Sequence, residues 1–386
     1  MLMKSNQKKI KLFIDASPLY EARSSGIGHS LLSILKSWQA DALSREKIDV
    51  TLLVSFDKKQ QIRALKLGYD IKIIPLPNKV LRMLRHIDFL PPMDLLLGRG
   101  IYLFPNYWNL PLAHSRSLTY VYDVSFLVYP EYAETRNQRF LAGHLPVWLK
   151  RTDKVITVSN HAKAEIMKYY QVESSKIHVV YNGVNTKFYQ ATSSQDIAAI
   201  KNIYNIVGEY LLFVGNIEPR KNISRLVAAY KLLPANLSRT FSLVIVGANG
   251  WNNHQILEDI RIAQNEGFVV HKIEQYVPDI DLPALYAGAA LLVHPALYEG
   301  FGMTPLEAMA AGTPVIVGDN SSLREVVGDA GLYVNAEDEK DISAKIRLLL
   351  ENEQKREQLR QAGLTRVLAF TWKQTVAELV KTVENL

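Results

Sequence analysis

The chain predicts an α/β protein built on parallel sheets in two domains, and three observations carry that expectation. Short apolar runs bounded by Gly, Pro and polar turns alternate end to end with longer amphipathic segments, the pattern of buried parallel strands and crossover helices. A length of 386 residues suits two domains of ordinary size, each able to bury its own core. Charge divides the same way: residues 1–190 hold 27 Lys/Arg against 15 Asp/Glu, while residues 191–386 hold 18 against 23, giving +12 and −5. Halves so unlike in charge are expected to meet different partners.

In chain order, the strand candidates of the first half are Ile10–Ile14, Val50–Val54, Ile71–Ile74, Ile101–Phe104, Leu118–Val121, Val155–Val158 and Ile177–Val180. The polar stretch Gln190-Ala-Thr-Ser-Ser-Gln-Asp196 reads as the linker, which sets domains at 1–190 and 191–370. In the second half the candidates are Tyr210–Val214, Leu243–Val246, Val269–Ile273, Leu291–Val293 and Val315–Val317, and Phe370–Val380 reads as a capped closing helix. Within the first half, Asn78–Asp88 is a helix candidate whose wheel groups Lys79, Arg82, Arg85 and His86 opposite Val80, Leu81, Met83, Leu84 and Ile87. Two readings stay open for it: an ordinary helix with its apolar face on the core, or a helix lying on anionic lipid. Both turn the basic face outward.

Composition narrows the function classes. Hydrophobic residues at 48% and charged residues at 22% describe a globular chain, and the absence of cysteine excludes disulfides, thiolate metal sites and a cysteine nucleophile. The basic start lacks the apolar core of a signal peptide, and no apolar run approaches the ~20 residues that cross a bilayer. A cytoplasmic protein is expected, with peripheral contact at the inner membrane face if the basic helix meets lipid. The basic half favours an anionic surface or acceptor; nucleic acid is not expected, because no binding motif or basic–aromatic module accompanies the charge.

The most informative stretch is His294-Pro-Ala-Leu-Tyr-Glu-Gly-Phe-Gly-Met-Thr-Pro-Leu-Glu-Ala-Met-Ala-Ala-Gly312, which sets Glu299 and Glu307 eight residues apart around a glycine turn and a helix start. Gly300 and Gly302 permit a tight turn with close backbone approach, and Pro305 suits the first helical position. Free N–H groups and the positive dipole end at a helix start favour phosphate, and carboxylates accept well from vicinal hydroxyls. A phosphate with a sugar on each side is a nucleotide sugar. The structural alternative is a capping box, Thr304-Pro-Leu-Glu307, with Glu307 tied back to its own backbone. A second segment, Gly215-Asn-Ile-Glu-Pro-Arg-Lys-Asn222, follows the strand Tyr210–Val214 and puts Arg220 and Lys221 at a strand's carboxyl end, where ligands of open parallel sheets bind. Adjacent cations at a helix start oppose its dipole, so an anion is expected beside them.

The string Glu299–Glu307, followed by Ala308-Met-Ala-Ala-Gly-Thr-Pro-Val-Ile316, closely resembles the E-x7-E signature of retaining glycosyltransferases of family 4. The resemblance implies the GT-B fold, two facing Rossmann-like domains with a cleft between them, and a closing helix, about 371–386, that returns to the N-terminal domain. It implies that Arg220 and Lys221 of the loop opened by Gly215 neutralise a departing diphosphate. The donor would also be held by Gly300, Phe301, Gly302, Met303 and Thr304, with Glu307 on the ribose hydroxyls and Glu299 on those of the transferring sugar. Gly26-Ile-Gly28 resembles the family's Gly-Ile-Gly loop, in which Gly26 and Gly28 would bind the donor by letting the backbone approach the sugar diphosphate, and its late glycines do not fit the G-x-G-x-x-G of a dehydrogenase. Tyr122-Asp123 stands where the family usually has His-Asp; a phenol donates a hydrogen bond to a sugar hydroxyl but carries no charge near neutral pH.

The overall likeness points to bacterial mannosyltransferases: GDP-mannose as donor, a glycan or lipid-linked acceptor, surface polysaccharide synthesis as the setting. No Asp-x-Asp motif stands at a strand end, so neither metal nor cofactor is expected. A sugar-nucleotide epimerase and a catalytically silent nucleotide-sugar-binding partner are the alternatives.

Overall fold

The structure, a computed structural model, describes residues 9–21, 25–87 and 89–386. Contacts divide it into two compact units. Unit 1 holds the chain up to Val124, Arg136–Gly183 and Trp372–Leu386; unit 2 holds Ser125–Thr135 and Val184–Thr371.

Unit 1 is built on a seven-stranded parallel sheet: β1 (Ile10–Asp15), β2 (Ile48–Ser55), β3 (Asp70–Ile74), β4 (Ile101–Phe104), β5 (Arg116–Tyr120), β6 (Lys154–Thr157) and β7 (Ile177–Val179), in the order β3-β2-β1-β4-β5-β6-β7. Unit 2 repeats the plan with six: β8 (Glu209–Val214), β9 (Phe241–Val246), β10 (Val270–Lys272), β11 (Leu291–His294), β12 (Val315–Gly318) and β13 (Gly331–Val334), in the order β10-β9-β8-β11-β12-β13. The register is in step, with Ile14 level with Leu52 and Leu103, and Leu212 level with Val244 and Leu292. Inner strands such as β4 and β12 run as continuous apolar segments because helices cover both faces: Phe13, Leu53, Ile74 and Tyr102 share one core, and Leu211, Phe213, Leu243 and Val293 another. The strand β13 escapes sequence reading because it is four residues long, opens on a glycine and lies at the sheet edge.

Three local expectations are corrected. Gln190–Asp196 is no uniform linker: Ser193 caps the helix Ser194–Ile203 in a reciprocal box with Asp196, so its polar residues serve a helix start. Thr304 and Glu307 form no such box. Gly302, at φ 114°, ends the turn one residue before the helix Met303–Ala310, so Pro305 is the third helical residue, where its missing N–H is still one of the unpaired few. The helix Asn78–His86 does not turn its whole basic sector outward: Leu81 and Arg85 are buried, whereas Met83 and Ile87 are exposed.

In unit 1 the closing helix Trp372–Glu384 packs against the helix Gly26–Ala40, and Thr375 Oγ1 donates to the Tyr181 carbonyl at 2.7 Å. In unit 2 the segment Ser125–Thr135 is held by Trp251, whose indole N–H donates to the Tyr132 carbonyl at 2.5 Å, and by the Tyr129–Tyr298 ring contact. Among the described residues no helix is long and apolar enough to cross a membrane.

Candidate functional site

The carboxyl ends of β8 and β11 are neighbours in the sheet of unit 2, and the loops leaving them carry the charged residues picked out in the sequence. After β8 the chain crosses Gly215 at φ 152° and makes one 3-10 turn, Pro219–Lys221. Asn222, left-handed at φ 62° and buried, then starts the helix Ile223–Lys231. Its amide donates to the carbonyls of Pro295 at 2.9 Å and Ala336 at 2.6 Å, and Leu297 N–H donates to the Arg220 carbonyl at 2.9 Å. Two loops far apart in sequence are thereby fixed side by side. Beneath them Gly247 makes the packing possible, since a Cβ there would lie 1.9 Å from the Gly215 carbonyl oxygen.

Within this frame Arg220, Lys221 and Glu299 come together. Lys221 Nζ is bonded to Glu299 Oε1. The Arg220 guanidinium reaches Glu218 at 2.7 Å, the Tyr298 carbonyl at 2.7 Å and Glu299 at 3.4 Å. The anion that two adjacent cations call for is thus supplied by the protein, from Glu299 and from Glu218, which is 1% exposed. They also stand before the helix, on the turn, so the dipole penalty is smaller than the sequence suggested. Burial alone would raise the Glu299 carboxyl; the charges of Lys221 and Arg220 and the bond from His294 outweigh it and hold the group well below the usual range.

His294 is a participant that sequence reading missed. It closes β11, has no exposed surface, stacks on Phe213 at 5.6 Å between ring centroids, and lies with Nε2 2.7 Å from Glu299 Oε1. Burial lowers its pKa against the pull of Glu299, so the neutral ring donates through Nε2 and leaves Nδ1 without a partner among the described residues. A histidine at the fully buried end of a parallel strand was the available signal. Ser321 and Ser322 were also missed: Glu299 N–H donates to Ser321 Oγ at 3.0 Å, and Ser322 Oγ lies 2.7 Å from the carbonyls of both Glu299 and Phe301. They hold the turn Glu299–Gly302 that leads into the helix carrying Met303 and Thr304.

Glu307, one turn into that helix, sits apart from the ion cluster. It accepts from the Tyr286 hydroxyl at 3.1 Å. Burial pushes its carboxyl up to about 7 against the lowering effects of the Tyr286 bond and Lys187, with Asp279 adding to the rise. Lys187 Nζ in turn donates to the Asp279 carbonyl at 2.5 Å, bringing the end of the Gln275–Asp279 loop to this side.

The remaining candidates belong to unit 1. Gly26 and Gly28 are the first and third residues of the helix Gly26–Ala40, capped by Ser25, whose oxygen accepts from Gly28 N–H at 3.3 Å. Tyr122 and Asp123 follow β5; the Tyr122 hydroxyl donates to the Pro105 carbonyl at 3.3 Å and its ring stacks on Tyr120 at 5.2 Å. Burial pushes the phenol up despite a hydrogen bond with Ser30, so it acts only as a neutral donor or acceptor.

Two parallel-sheet Rossmann-like units, with cations and carboxylates at strand carboxyl ends, define a protein of the GT-B class. Residues 184–366 match the model for Glycosyl transferases group 1 and residues 39–188 that for Glycosyltransferase Family 4. The chain is 32% identical over 286 residues to O-antigen chain mannosyltransferase B of Escherichia coli, covering 74% of each. It belongs to this glycosyltransferase family. It is also 31% identical over 229 residues to the serotype-specific mannosyltransferase WbdA of Escherichia coli, which takes in 58% of this chain but 28% of that longer protein. Among solved structures, Anabaena Alr3699/HepE in complex with UDP and glucose superposes with a TM-score of 0.72 over 98% of this chain and 100% of that one, at 16% identity. That likeness bears on the fold.

Proposed function

We propose that the chain transfers mannose from GDP-mannose, with retention of anomeric configuration, to a glycan or lipid-linked acceptor in surface polysaccharide synthesis. The observation that carries the reading is the cluster of Arg220, Lys221 and Glu299 beside the start of the helix Met303–Ala310. The two mannosyltransferase relatives support the sugar. A diphosphate is a stronger partner for two cations than one carboxylate, so donor binding exchanges Glu299 for phosphate oxygens on Arg220 and Lys221. Glu299, kept ionised and still oriented by His294, then accepts from hydroxyls of the transferring sugar. Glu307, with Tyr286, takes the ribose hydroxyls, and the N–H groups from Gly300 to Thr304 face the diphosphate.

As the glycosidic bond to the departing phosphate breaks, positive charge grows on the sugar ring and negative charge on the leaving oxygen. Arg220 and Lys221 stabilise the latter without a metal ion or cofactor, and Glu299 lies near the former; preorganised charge of this kind is commonly the largest part of rate enhancement. Tyr122 and Asp123 are assigned to the donor sugar by their likeness to the family's His-Asp segment. Peripheral contact with anionic lipid at the cytoplasmic face is supported by Met83, Ile87 and Phe89, each more than half exposed beside Lys79 and Arg82.

A donor panel read by mass spectrometry tests this. The protein meets GDP-mannose, UDP-glucose, UDP-galactose and UDP-N-acetylglucosamine with EDTA and a membrane-lipid extract. GDP release with a hexose-sized gain on lipid is expected, and it vanishes in Glu299→Ala and Arg220→Ala. Donor turnover without an acceptor would mean an epimerase; binding without turnover under every condition would mean a silent partner.

A further inference from the structure

Unit 1 contains a cavity of about 620 Å³, and its lining has an unusual occupant. Arg85 projects from the helix Asn78–His86 into the protein and is 7% exposed. Its guanidinium lies over the Trp108 ring, 3.0 Å from the centroid, which fixes its plane. Among the described residues, Nε and Nη2 have no hydrogen-bond partner. Burying charged donors without acceptors is costly, and proteins ordinarily satisfy them with a carboxylate or backbone carbonyls. Asp15 is buried and attracts Arg85, but its oxygens are engaged by Ser17 N–H and Oγ, and among the described residues it forms no ion pair with the guanidinium. Burial lowers the Arg85 pKa to about 9, so the group is charged at neutral pH.

The surroundings deepen the excess. Arg82 and Lys58 also line the cavity, and Glu21 is the only carboxylate among the described lining residues. A planar guanidinium held on an aromatic ring presents parallel donors that match the oxygens of phosphate, and two further cations suit a dianion better than a single carboxylate. The volume exceeds that of a phosphate, and the side-chain amides of Asn78, Asn106 and Asn137 border the rest, groups able to bond sugar hydroxyls. The exposed apolar side chains Met83 and Ile87 project from the same helix that supplies Arg85.

We propose that this cavity binds a phosphoryl group, with Arg85 as its principal ligand and Arg82 and Lys58 as supporting charges. On the transferase reading, on which this assignment of the occupant rests, the group is the phosphate or diphosphate that joins the acceptor glycan to its lipid. The helix Asn78–His86 then serves two ends, with Arg85 on the anion and its apolar exposed residues toward the bilayer.

Calorimetric titration of the full chain with inorganic pyrophosphate tests the site. Arg85→Gln is expected to weaken binding by about tenfold or more, and Arg82→Gln and Lys58→Gln by about threefold each, in line with loss of charge-assisted hydrogen bonds. Arg220→Gln reports on the other phosphate site and leaves this binding in place. Binding lost in Arg220→Gln but kept in Arg85→Gln would overturn the proposal, and so would glucuronate binding as tightly as pyrophosphate. Farnesyl diphosphate displaces pyrophosphate if the occupant is lipid-borne; failure to displace it refutes that assignment. Should Arg85→Gln melt too low to titrate, the half-buried Lys58 and exposed Arg82 variants decide, because unchanged affinity in both sinks the site. GDP-mannose binding, measured on the same proteins, separates the readings. No donor binding alongside Arg85-dependent pyrophosphate binding defeats the transferase reading alone; the reverse pattern defeats this one alone.

Discussion

The two units share a strand plan and treat charge in opposite ways. In each, the first strand pairs with the second on one side and with the fourth on the other, and chemistry-bearing residues lie in the loops beyond the carboxyl ends. In unit 2 the cations are matched inside the protein: Arg220 and Lys221 share Glu299 and Glu218. In unit 1 the buried charges Asp94 and Arg85 do not pair, and its ion pairs, such as Lys47–Glu384, lie nearer the surface. Asp94 is satisfied by backbone, accepting from the N–H groups of Ala113, His114 and Ser115 at 2.8, 2.8 and 2.9 Å, while Arg85 keeps two donors without acceptors among the described residues. The shared scaffold therefore does not set the chemistry. An internally paired cluster is stable alone and can exchange partners when a stronger anion arrives, whereas an unpaired buried cation is costly until something binds it.

The largest expected effect breaks the pairing in unit 2. Lys221→Gln removes one of two charges facing the leaving diphosphate, and losing one preorganised donor of this kind lowers kcat about 10²–10³-fold. Single-turnover sugar transfer measures it, with GDP-mannose binding in Arg85→Gln as the control that stays unchanged. Activity in Lys221→Gln within threefold of the parent would mean the cluster is structural, and the contrast between the units would lose its functional meaning.

How far each site could be read from sequence follows from the same contrast. Glu299 and Glu307 lie within one turn-and-helix string, and Arg220-Lys221 lie in the loop that leaves a strand, so spacing brings them near a strand end. The clamp by Asn222 was not legible, because its partners lie 73 and 114 residues away in loops that only the folded sheet places together. His294 was visible as a strand end, but its bond to Glu299 depends on how the intervening turn folds back. Arg85 was misassigned because a helical wheel positions the Cβ and says nothing about where a long side chain lays its head. Its cover, Trp108, comes from the segment after β4.

Gly247→Ala tests whether the paired cluster depends on backbone approach. The new methyl would meet the Gly215 carbonyl, which cannot move without shifting the whole Gly215–Lys221 loop, so a loss of about 3 kcal/mol is expected, at the upper end of overpacking effects. Chemical denaturation gives the number. Near-normal stability would show that the loop has slack, and the cluster would be less fixed than its hydrogen bonds imply. Asp94→Asn is the counterpart in unit 1. Turning one oxygen into a donor sets it against backbone N–H groups in a site where Asp94 is 2% exposed, for a loss of about 2 kcal/mol.

The smallest expected effect has a sign that depends on pH. Glu307 carries no cationic partner of the kind Glu299 has, and its carboxyl is raised from 4.5 to about 7, mainly by burial. A raised carboxyl binds its proton more tightly in the native protein than in the unfolded chain, so between these two values stability falls as pH rises, and above about 7 the cost is complete. Glu307→Gln removes the ionisation but keeps the shape, so it is expected to stabilise the protein by about 1–2 kcal/mol at pH 8 and by almost nothing at pH 4, read from denaturation at both values. The same substitution weakens GDP-mannose binding, because an amide is a poorer acceptor from ribose hydroxyls, and the parent's own affinity declines as pH falls through about 7 and Glu307 takes up its proton. A stability gain at pH 8 without loss of donor affinity would leave Glu307 a mere cost of packing. Both together would show a carboxylate held at the expense of stability for the sake of what it binds, which unit 2 would then share with Arg85 in unit 1.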